Sequence, residues 1–210
     1  MLEIKSFPLG ALETNCYLLF EGQQALAIDP GGDPSELLSF LEKRQLQLKY
    51  ILNTHFHFDH IQGNKSLQDK TGAPIYANSE DAYLLETEVG GGGFMGFPET
   101  EPFNYQDFPG NNWQCLGYEC RILATPGHTP GSVSLYWPQL KAVFVGDLIF
   151  NRSIGRTDFP GGDMNTLIQS VKTHIFTLPG ETRIYPGHGP VTSVHEEELH
   201  NPFFKEGGMF

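Results

Sequence analysis

A short apolar strand is predicted to end at residues 54–60, a segment that holds three histidines and one aspartate. Side chains along an extended chain alternate between its two faces. His55 and His57 therefore point the same way and can share one cation. Asp59 and the adjacent His60 project differently and can reach a second site beside the first. Such a cluster at a strand end favours metal binding over a chance group on a solvated loop.

Three more apolar strands end in the same manner, at His128, Asp147 and His188. A lone histidine or aspartate after a strand is usually a turn residue, so none of the three is informative alone. Together with the first segment they supply five imidazoles and two carboxylates. Such a donor set suits two borderline divalent ions.

Strands and helices interleave twice along the chain, which predicts a layered α/β domain with two sheets packed face to face and helices outside. No low-complexity linker or composition break divides the sequence, so one domain over residues 1–210 is expected. Strands are predicted at residues 2–7, 16–20, 25–29, 50–52, 74–77, 113–116, 120–124, 133–137, 142–145 and 184–185. Helices are predicted to begin at residues 33–35, to begin at 79, and to cover 61–70, 163–177 and 194–200.

Residues 88–108 have a different character, with four consecutive glycines at 90–93 followed by Phe94, Met95, Phe97 and Phe103. No Lys-Ser/Thr pair follows the glycines, which excludes a P-loop. Two interpretations remain for residues 90–97: a floppy surface loop, or a mobile aromatic flap beside a site.

The formal net charge of −12, from 13 Lys+Arg against 25 Asp+Glu, argues against a nucleic-acid partner, because such proteins need a basic surface. No apolar run approaches the ~20 residues of a membrane span, and no secretory signal is visible. Cys16, Cys115 and Cys120 do not form a disulfide framework, and reduced core thiols are expected. A cytoplasmic monomer or small homo-oligomer is the resulting expectation.

Four motifs occur in a fixed order: Thr-His-Phe-His-Phe-Asp-His, Pro-Gly-His-Thr-Pro-Gly-Ser, Gly-Asp and Pro-Gly-His-Gly, within residues 27–188. The combination resembles the metallo-β-lactamase fold superfamily, and within it a single-domain form of the glyoxalase II-like branch. The resemblance implies a four-layer αβ/βα sandwich of two mixed β-sheets with helices on the outer faces. It also implies that the chain lacks the additional C-terminal helical domain that binds glutathione in glyoxalase II proper.

The resemblance further implies a binuclear metal centre. Zinc is the expected metal, and iron or manganese would suit the same ligands. The implied ligands are His55, His57 and His128 for metal 1, Asp59, His60 and His188 for metal 2, and Asp147 as the bridge.

The implied activity is hydrolysis of small thioesters or related acyl esters by a metal-bridging hydroxide, with S-lactoylglutathione as a possible substrate. Asp59 would orient the nucleophile. A thiolate leaves readily near neutral pH, so no dedicated general acid is required. Arg156 matches a basic position that contacts substrate in the glyoxalase II pattern; alternatively it pairs with Asp158 or Asp163 and only organises its loop.

The same residues are compared with the patterns of other functions. A mononuclear iron persulfide dioxygenase shares much of the motif set and is the main alternative, followed by a non-catalytic protein stabilised by metal. A flavodiiron-type reductase is disfavoured because its pattern has a carboxylate where His57 stands, and β-lactam hydrolysis because no export signal is visible. His195 and His200 are about 140° apart on a helix and cannot face one ion. They are read as a solvated helix face, and His174 as a surface or capping residue.

Overall fold

The computed structural model describes residues 2–205. The chain divides into two compact units, with the boundary between Phe108 and Pro109.

The first unit contains a mixed six-stranded sheet whose strands lie in chain order. Its first three strands pair antiparallel and the remaining neighbours pair parallel. The strands are β1 (Glu3–Leu9), β2 (Thr14–Glu21), β3 (Gln24–Ile28), β4 (Gln47–Leu52), β5 (Ile75–Ala77) and β6 (Tyr105–Asp107). The helices are α1 (Ser35–Arg44), α2 (Phe58–Ile61), α3 (Asn64–Thr71) and α4 (Glu88–Gly91), with 3₁₀ turns at Ser79–Glu86 and Phe94–Gly96.

The core of this unit forms where α1 and α3 bury their apolar stripes. Leu37 and Leu41 lie one helical turn apart on α1 and are both buried, as is Leu67 on α3. They share one cluster with strand residues such as Leu18 and Ile51. The strands on this sheet are therefore anchored by burial, and the carboxyl ends of β3 and β4 are held in fixed positions.

The second unit contains another mixed six-stranded sheet, in the order β14-β13-β10-β9-β8-β7. Only the β10–β13 pair is parallel. The strands are β7 (Asn112–Cys115), β8 (Tyr118–Ala124), β9 (Val133–Trp137), β10 (Ala142–Gly146), β13 (Arg183–Pro186) and β14 (Thr192–Ser193), and a separate hairpin pairs β11 (Ile149–Phe150) with β12 (Ser153–Ile154). The helices are α5 (Met164–Ser170), which continues as a π-helical turn over Val171–Ile175, and α6 (Val194–His200), with 3₁₀ turns at Pro138–Leu140 and Pro202–Phe204.

Helix α5 begins at a side-chain cap, since the Asp163 carboxylate accepts a hydrogen bond from the Thr166 amide at 2.7 Å. Its buried face packs Leu167 and Val171 against Val143 of β10 and Ile184 of β13. The ends of β10 and β13, which precede two of the expected ligands, are thus fixed by the core of this unit.

The strands and helices agree with the prediction in number and order for the longer elements, and Val133–Trp137 and Val194–His200 have the predicted bounds. The helix expected from Ser79 is a 3₁₀ turn, begun by the Asn78 side chain, which accepts from the Glu80 amide. Strands β6, β11, β12 and β14 were not predicted; each has only two or three residues, and a run this short rarely shows periodicity. No helix among residues 2–205 is long and apolar enough to cross a membrane.

The cysteines are all buried and free. In the β7–β8 hairpin, Cys115 lies opposite Tyr118 and Cys120 lies opposite Trp113, so the two thiols are not cross-strand partners. Burial raises the pKa of the Cys115 thiol to about 12 and raises the pKa values of Cys16 and Cys120 well above their ordinary value.

We expect no thiol of the native protein to react with Ellman's reagent at about pH 8, because the reactive thiolate is scarce when the pKa is raised. The same protein in guanidinium chloride should release the colour of three thiols. Rapid reaction of even one thiol in the native protein would contradict the buried, protonated assignment.

Candidate metal centre

The first unit brings the four expected ligands of residues 54–60 together beyond the end of β4. His55, His57 and His60 are buried, and Asp59 is nearly so. The His55 ring centroid lies 4.8 Å from that of His57 and 4.1 Å from that of His60. His57 is extended and precedes α2, whereas Asp59 and His60 lie within that helix. The backbone therefore changes from extended to helical between His57 and Asp59, and the assignment of these ligands to two different ions stays a prediction.

A buried carboxylate, Asp29, organises this half of the centre. It follows β3 and accepts hydrogen bonds from the Thr54 amide at 2.8 Å and the Thr54 hydroxyl at 2.7 Å. Its Oδ2 atom also lies 3.0 Å from Nδ1 of His60. Asp29 lies within the stretch 27–188 that resembles the family, but the sequence alone assigned it no role. The available signal was its position after an apolar strand, the same pattern that singled out Asp147.

These contacts determine which ring nitrogen carries the proton in His55 and in His60. The Thr54 hydroxyl has one hydrogen and donates it to Asp29, so its oxygen accepts from Nδ1–H of His55 at 3.1 Å. His60 likewise donates Nδ1–H to Asp29. In both rings the lone pair is left on Nε2, which is buried. Neutral imidazole with Nδ1–H bound to an oxygen is the form in which histidine ligates metals.

Asp59 is held from two sides. The Thr14 hydroxyl donates to its Oδ2 atom at 3.0 Å, and the same oxygen lies 3.6 Å from Nε2 of His60. Behind it, a Cβ added at Gly31 would lie 1.7 Å from the Asp59 carbonyl oxygen. Only glycine fits there, so the Pro30–Gly31 turn is in direct contact with the backbone of this ligand.

The second unit brings His128, Asp147 and His188 together at the ends of β8, β10 and β13. Oδ2 of Asp147 lies 3.7 Å from Nε2 of His128 and 3.6 Å from Nε2 of His188. Both distances exceed a normal hydrogen bond. Two atoms that each lie ~2.0–2.2 Å from a shared tetrahedral ion would be ~3.3–3.6 Å apart. The Asp147 carboxylate is thus placed between two imidazole nitrogens at distances suited to metal ligation.

His128 is oriented by a backbone carbonyl. Its Nδ1 atom lies 2.7 Å from the carbonyl oxygen of Arg156, which can only accept, so Nδ1 carries the proton and Nε2 the lone pair. A Cβ at Gly155 would lie 1.7 Å from the Asp147 carbonyl oxygen and 3.4 Å from Nδ1 of His128. The loop after β12 therefore fits closely behind two ligands.

The Arg156 side chain pairs with Asp158. Nε donates to Oδ1 at 2.8 Å and Nη2 to Oδ2 at 2.7 Å, and the guanidinium lies 3.7 Å from the Phe159 ring centroid. The two hydrogen bonds lower the pKa of the Asp158 carboxyl to about 2. The two side chains are 52% and 67% exposed. This pairing is one of the two roles expected from the sequence; contact with a substrate stays a prediction.

The donor set consists of two carboxylates and five imidazoles, which fits divalent ions. In three of the five imidazoles, Nδ1–H is hydrogen-bonded to an oxygen atom. Within residues 2–205, the side chains that form groups able to hold a metal ion are His55, His57, Asp59, His60, His128, Asp147 and His188. His195 and His200 are exposed on α6, and His174 lies in the π-helical turn; none belongs to such a group.

Comparison with known proteins identifies the family of the chain. The family model of the metallo-β-lactamase superfamily matches residues 9–188. The hydroxyacylglutathione hydrolase GloC of Haemophilus influenzae is 35% identical over 207 residues, 96% of this chain and 98% of that protein. Among solved structures, the BLEG-1 B3 metallo-β-lactamase is 35% identical, with a TM-score of 0.90 over 97% of this chain and 100% of that one. TTHA1623 in a di-iron-bound form is also 35% identical, with a TM-score of 0.86 over 95% and 99% of the two chains.

The chain belongs to the metallo-β-lactamase superfamily, whose members bind metal ions and are generally metal-dependent hydrolases. The resemblance read from the four motifs is thereby confirmed, and so is the α/β fold with two mixed sheets.

We expect Asp29→Asn to weaken metal binding by about 10- to 100-fold, the range typical for partners that orient metal-ligating histidines. An asparagine offers one acceptor oxygen where three donors converge, so the His60 or Thr54 contact is lost. Competition with a chromophoric chelator measures the effect. Asp69→Asn, which alters an exposed carboxylate paired with Lys65, is the control and should bind metal like the wild type. Equal affinities in the two variants would contradict the role of Asp29.

Proposed function

We propose that this protein is a binuclear metal-dependent hydrolase of small thioesters or related acyl esters, with S-lactoylglutathione as the first substrate to test. The observation that carries the proposal is the complete donor set, in which His55, His60 and His128 each present Nε2 with Nδ1–H bound to an oxygen. GloC supports the substrate class, because the shared region covers 98% of the protein that bears the name hydroxyacylglutathione hydrolase.

We assign the ligands as the family resemblance implies. His55, His57 and His128 would hold one ion, Asp59, His60 and His188 the other, and Asp147 would bridge them. The near-equal distances from Oδ2 of Asp147 to Nε2 of His128 and of His188 support the bridging role, because these two histidines belong to different ions in the assignment. Zinc is proposed as the native metal; the di-iron form of TTHA1623 keeps iron as the alternative.

Two bound divalent ions would supply Lewis acidity toward the acyl carbonyl and would lower the pKa of a water from 15.7 toward ~7. The protein's own residues would position the water and accept its proton. Asp59, whose carboxylate accepts a hydrogen bond from the Thr14 hydroxyl, would accept a proton from the attacking water. A thiolate leaving group needs no protein acid near neutral pH. Thioesters are therefore better matched to this site than esters with alcohol leaving groups.

Arg156 is proposed to bind an anionic part of the substrate. Its planar fork of donors suits a carboxylate, and its present partner, the exposed Asp158, occupies that fork bidentately. Both side chains of the pair are more than half exposed, so a substrate carboxylate could reach the guanidinium and exchange with Asp158 in the same bidentate geometry. Its backbone carbonyl would continue to hold His128.

The function is tested by elemental analysis of the purified protein together with turnover of S-lactoylglutathione. We expect about two divalent ions per chain and hydrolysis that is lost on chelation and restored by metal. The main alternative is tested in parallel by oxygen uptake on glutathione persulfide. One iron per chain with oxygen consumption and no thioester hydrolysis would replace the hydrolase by a persulfide dioxygenase.

The ligand assignment is tested by His57→Ala. We expect loss of one metal ion and a fall in kcat/KM of more than ~100-fold, because the remaining ligands no longer fix the ion that polarises the carbonyl. His195→Ala removes an exposed imidazole on α6 and should change neither metal content nor turnover. Full metal content and wild-type turnover in His57→Ala would refute the assignment.

A further inference from the structure

The glycine-rich segment left open by the sequence forms an ordered loop, named here the glycine loop (residues 90–100). The Thr100 amide donates to the Gly91 carbonyl at 2.9 Å, and the Thr100 hydroxyl donates to the Gly90 carbonyl at 2.9 Å. Further in, the Gly93 amide donates to the Phe97 carbonyl at 3.1 Å. The two ends of the loop are thus tied together, and its tip, Phe94–Gly96, is a 3₁₀ turn.

The glycine loop is seated directly on the segment that carries the first-unit metal ligands. A Cβ at Gly90 would lie 2.8 Å from the carbonyl oxygen of Phe56, the residue between His55 and His57. Directly after α2, the side-chain amide of Gln62 donates to the Pro98 carbonyl at 2.7 Å. Glycine at position 90 permits this approach, so the loop packs against the backbone of the segment that carries these ligands.

Aromatic contacts continue the same attachment. Phe58, which stands between His57 and Asp59 in the chain, stacks on Phe97 with ring centroids 5.2 Å apart and an interplanar angle of 28°. Its ring centroid lies 6.4 Å from that of Phe94. Phe58 is buried, whereas Phe94 and Phe97 are each half-buried. The exposed parts form an apolar surface that begins at the metal-ligand segment.

Met95 extends this surface into solvent. Its side chain is 83% exposed, and its backbone has φ 49°, in the left-handed region that non-glycine residues rarely adopt. A strained backbone that displays a large apolar side chain next to a site is the kind of outlier from which a functional role is inferred.

The charge of the segment limits what can bind there. Residues 88–101 contain Glu88, Glu99 and Glu101 and no lysine or arginine. Common thiol carriers are anionic, so the surface does not suit that end of a thioester. It suits an uncharged hydrocarbon group, whose burial against aromatic rings and a methionine is favourable.

We propose that Phe94, Met95 and Phe97 form an acyl-binding wall that gives this protein a preference for thioesters with extended apolar acyl groups. This inference rests on the proposed thioesterase function and adds the substrate class. Phe97 and Met95 are the specificity-determining residues, and Phe58 positions the wall against the metal ligands.

The test separates acyl binding from turnover. Wild-type metal-loaded protein is titrated with S-(2-oxoalkyl) thioethers of N-acetylcysteamine, which carry a neutral thiol part and cannot be hydrolysed. The chain is varied from two to eight carbons and binding is measured by calorimetry. A fully buried methylene tightens binding about fourfold. The wall covers one side of the chain, so we expect the eight-carbon compound to bind about 50-fold more tightly than the two-carbon compound.

Met95→Gln keeps the size of the side chain and removes its apolar character, and an 83% exposed position tolerates the change without unfolding. We expect it to lower the eight-carbon to two-carbon ratio by about threefold to tenfold, and Phe97→Leu to lower it as well. The matched control is Leu199→Gln, another exposed apolar residue, which should retain the wild-type ratio. A ratio that is flat in the wild type, or equal in Met95→Gln and Leu199→Gln, would overturn the acyl-binding wall.

Kinetics on the corresponding thioesters and on S-lactoylglutathione distinguish the two proposals. If the thioesters are hydrolysed but the chain-length ratio is flat, the wall is wrong and the hydrolase stands. If nothing is hydrolysed but the thioethers show the ratio and Met95→Gln reduces it, the hydrolase is wrong and the apolar subsite stands.

Discussion

Asp29 is 2% exposed, its backbone adopts φ 52°, and its carboxylate contacts both Thr54 and His60. An ionised carboxylate is unfavourable in such surroundings unless donors surround it. The donors here are the very groups that orient His55 and His60, so the first unit cannot satisfy Asp29 without aiming both imidazoles. The hydrogen bonds that stabilise the fold around Asp29 thus also orient His55 and His60, so these side chains need little rearrangement to bind a metal ion.

The second unit uses a neutral acceptor for the same purpose. The Arg156 carbonyl takes the Nδ1 proton of His128, and Gly155 fits against the Asp147 backbone. A carboxylate partner makes an imidazole more basic than a carbonyl partner does. His60, whose Nδ1–H is bound to Asp29, is therefore expected to be a stronger metal ligand than His128. On the proposed assignment these histidines serve different ions, so the two metal positions are expected to differ in affinity.

The expected ligands could be named from the sequence because each follows a buried strand, where an apolar run and a chain stop are visible; their role as ligands stays a prediction. The long strands were predictable because they are apolar runs bounded by turn residues, and α6 has the bounds that the sequence predicted. Asp29 escaped because its role depends on a contact with His60, 31 residues further along. Arg156 was ambiguous because its side chain and its carbonyl act separately, one on Asp158 and the other on His128. Neither the Asp29–His60 contact nor the two separate roles of Arg156 can be recognised from the spacing of residues in the sequence.

The glycine loop was ambiguous for another reason, since a run of glycines is compatible with either flexibility or close backbone contact. The Gly90 contact with the Phe56 carbonyl and the hydrogen bonds of Thr100 show that these glycines allow close backbone contact. A left-handed non-glycine residue costs about 1–3 kcal/mol, and Met95, which is 83% exposed, buries little in the protein alone that offsets this cost. Loop closure needs a turn at this position but does not need an apolar side chain there. On the proposal of an acyl-binding wall, a hydrocarbon chain would bury the thioether and methylenes of Met95. The length of the acyl chain, rather than the thiol carrier, is therefore the informative variable for the specificity of the proposed thioesterase.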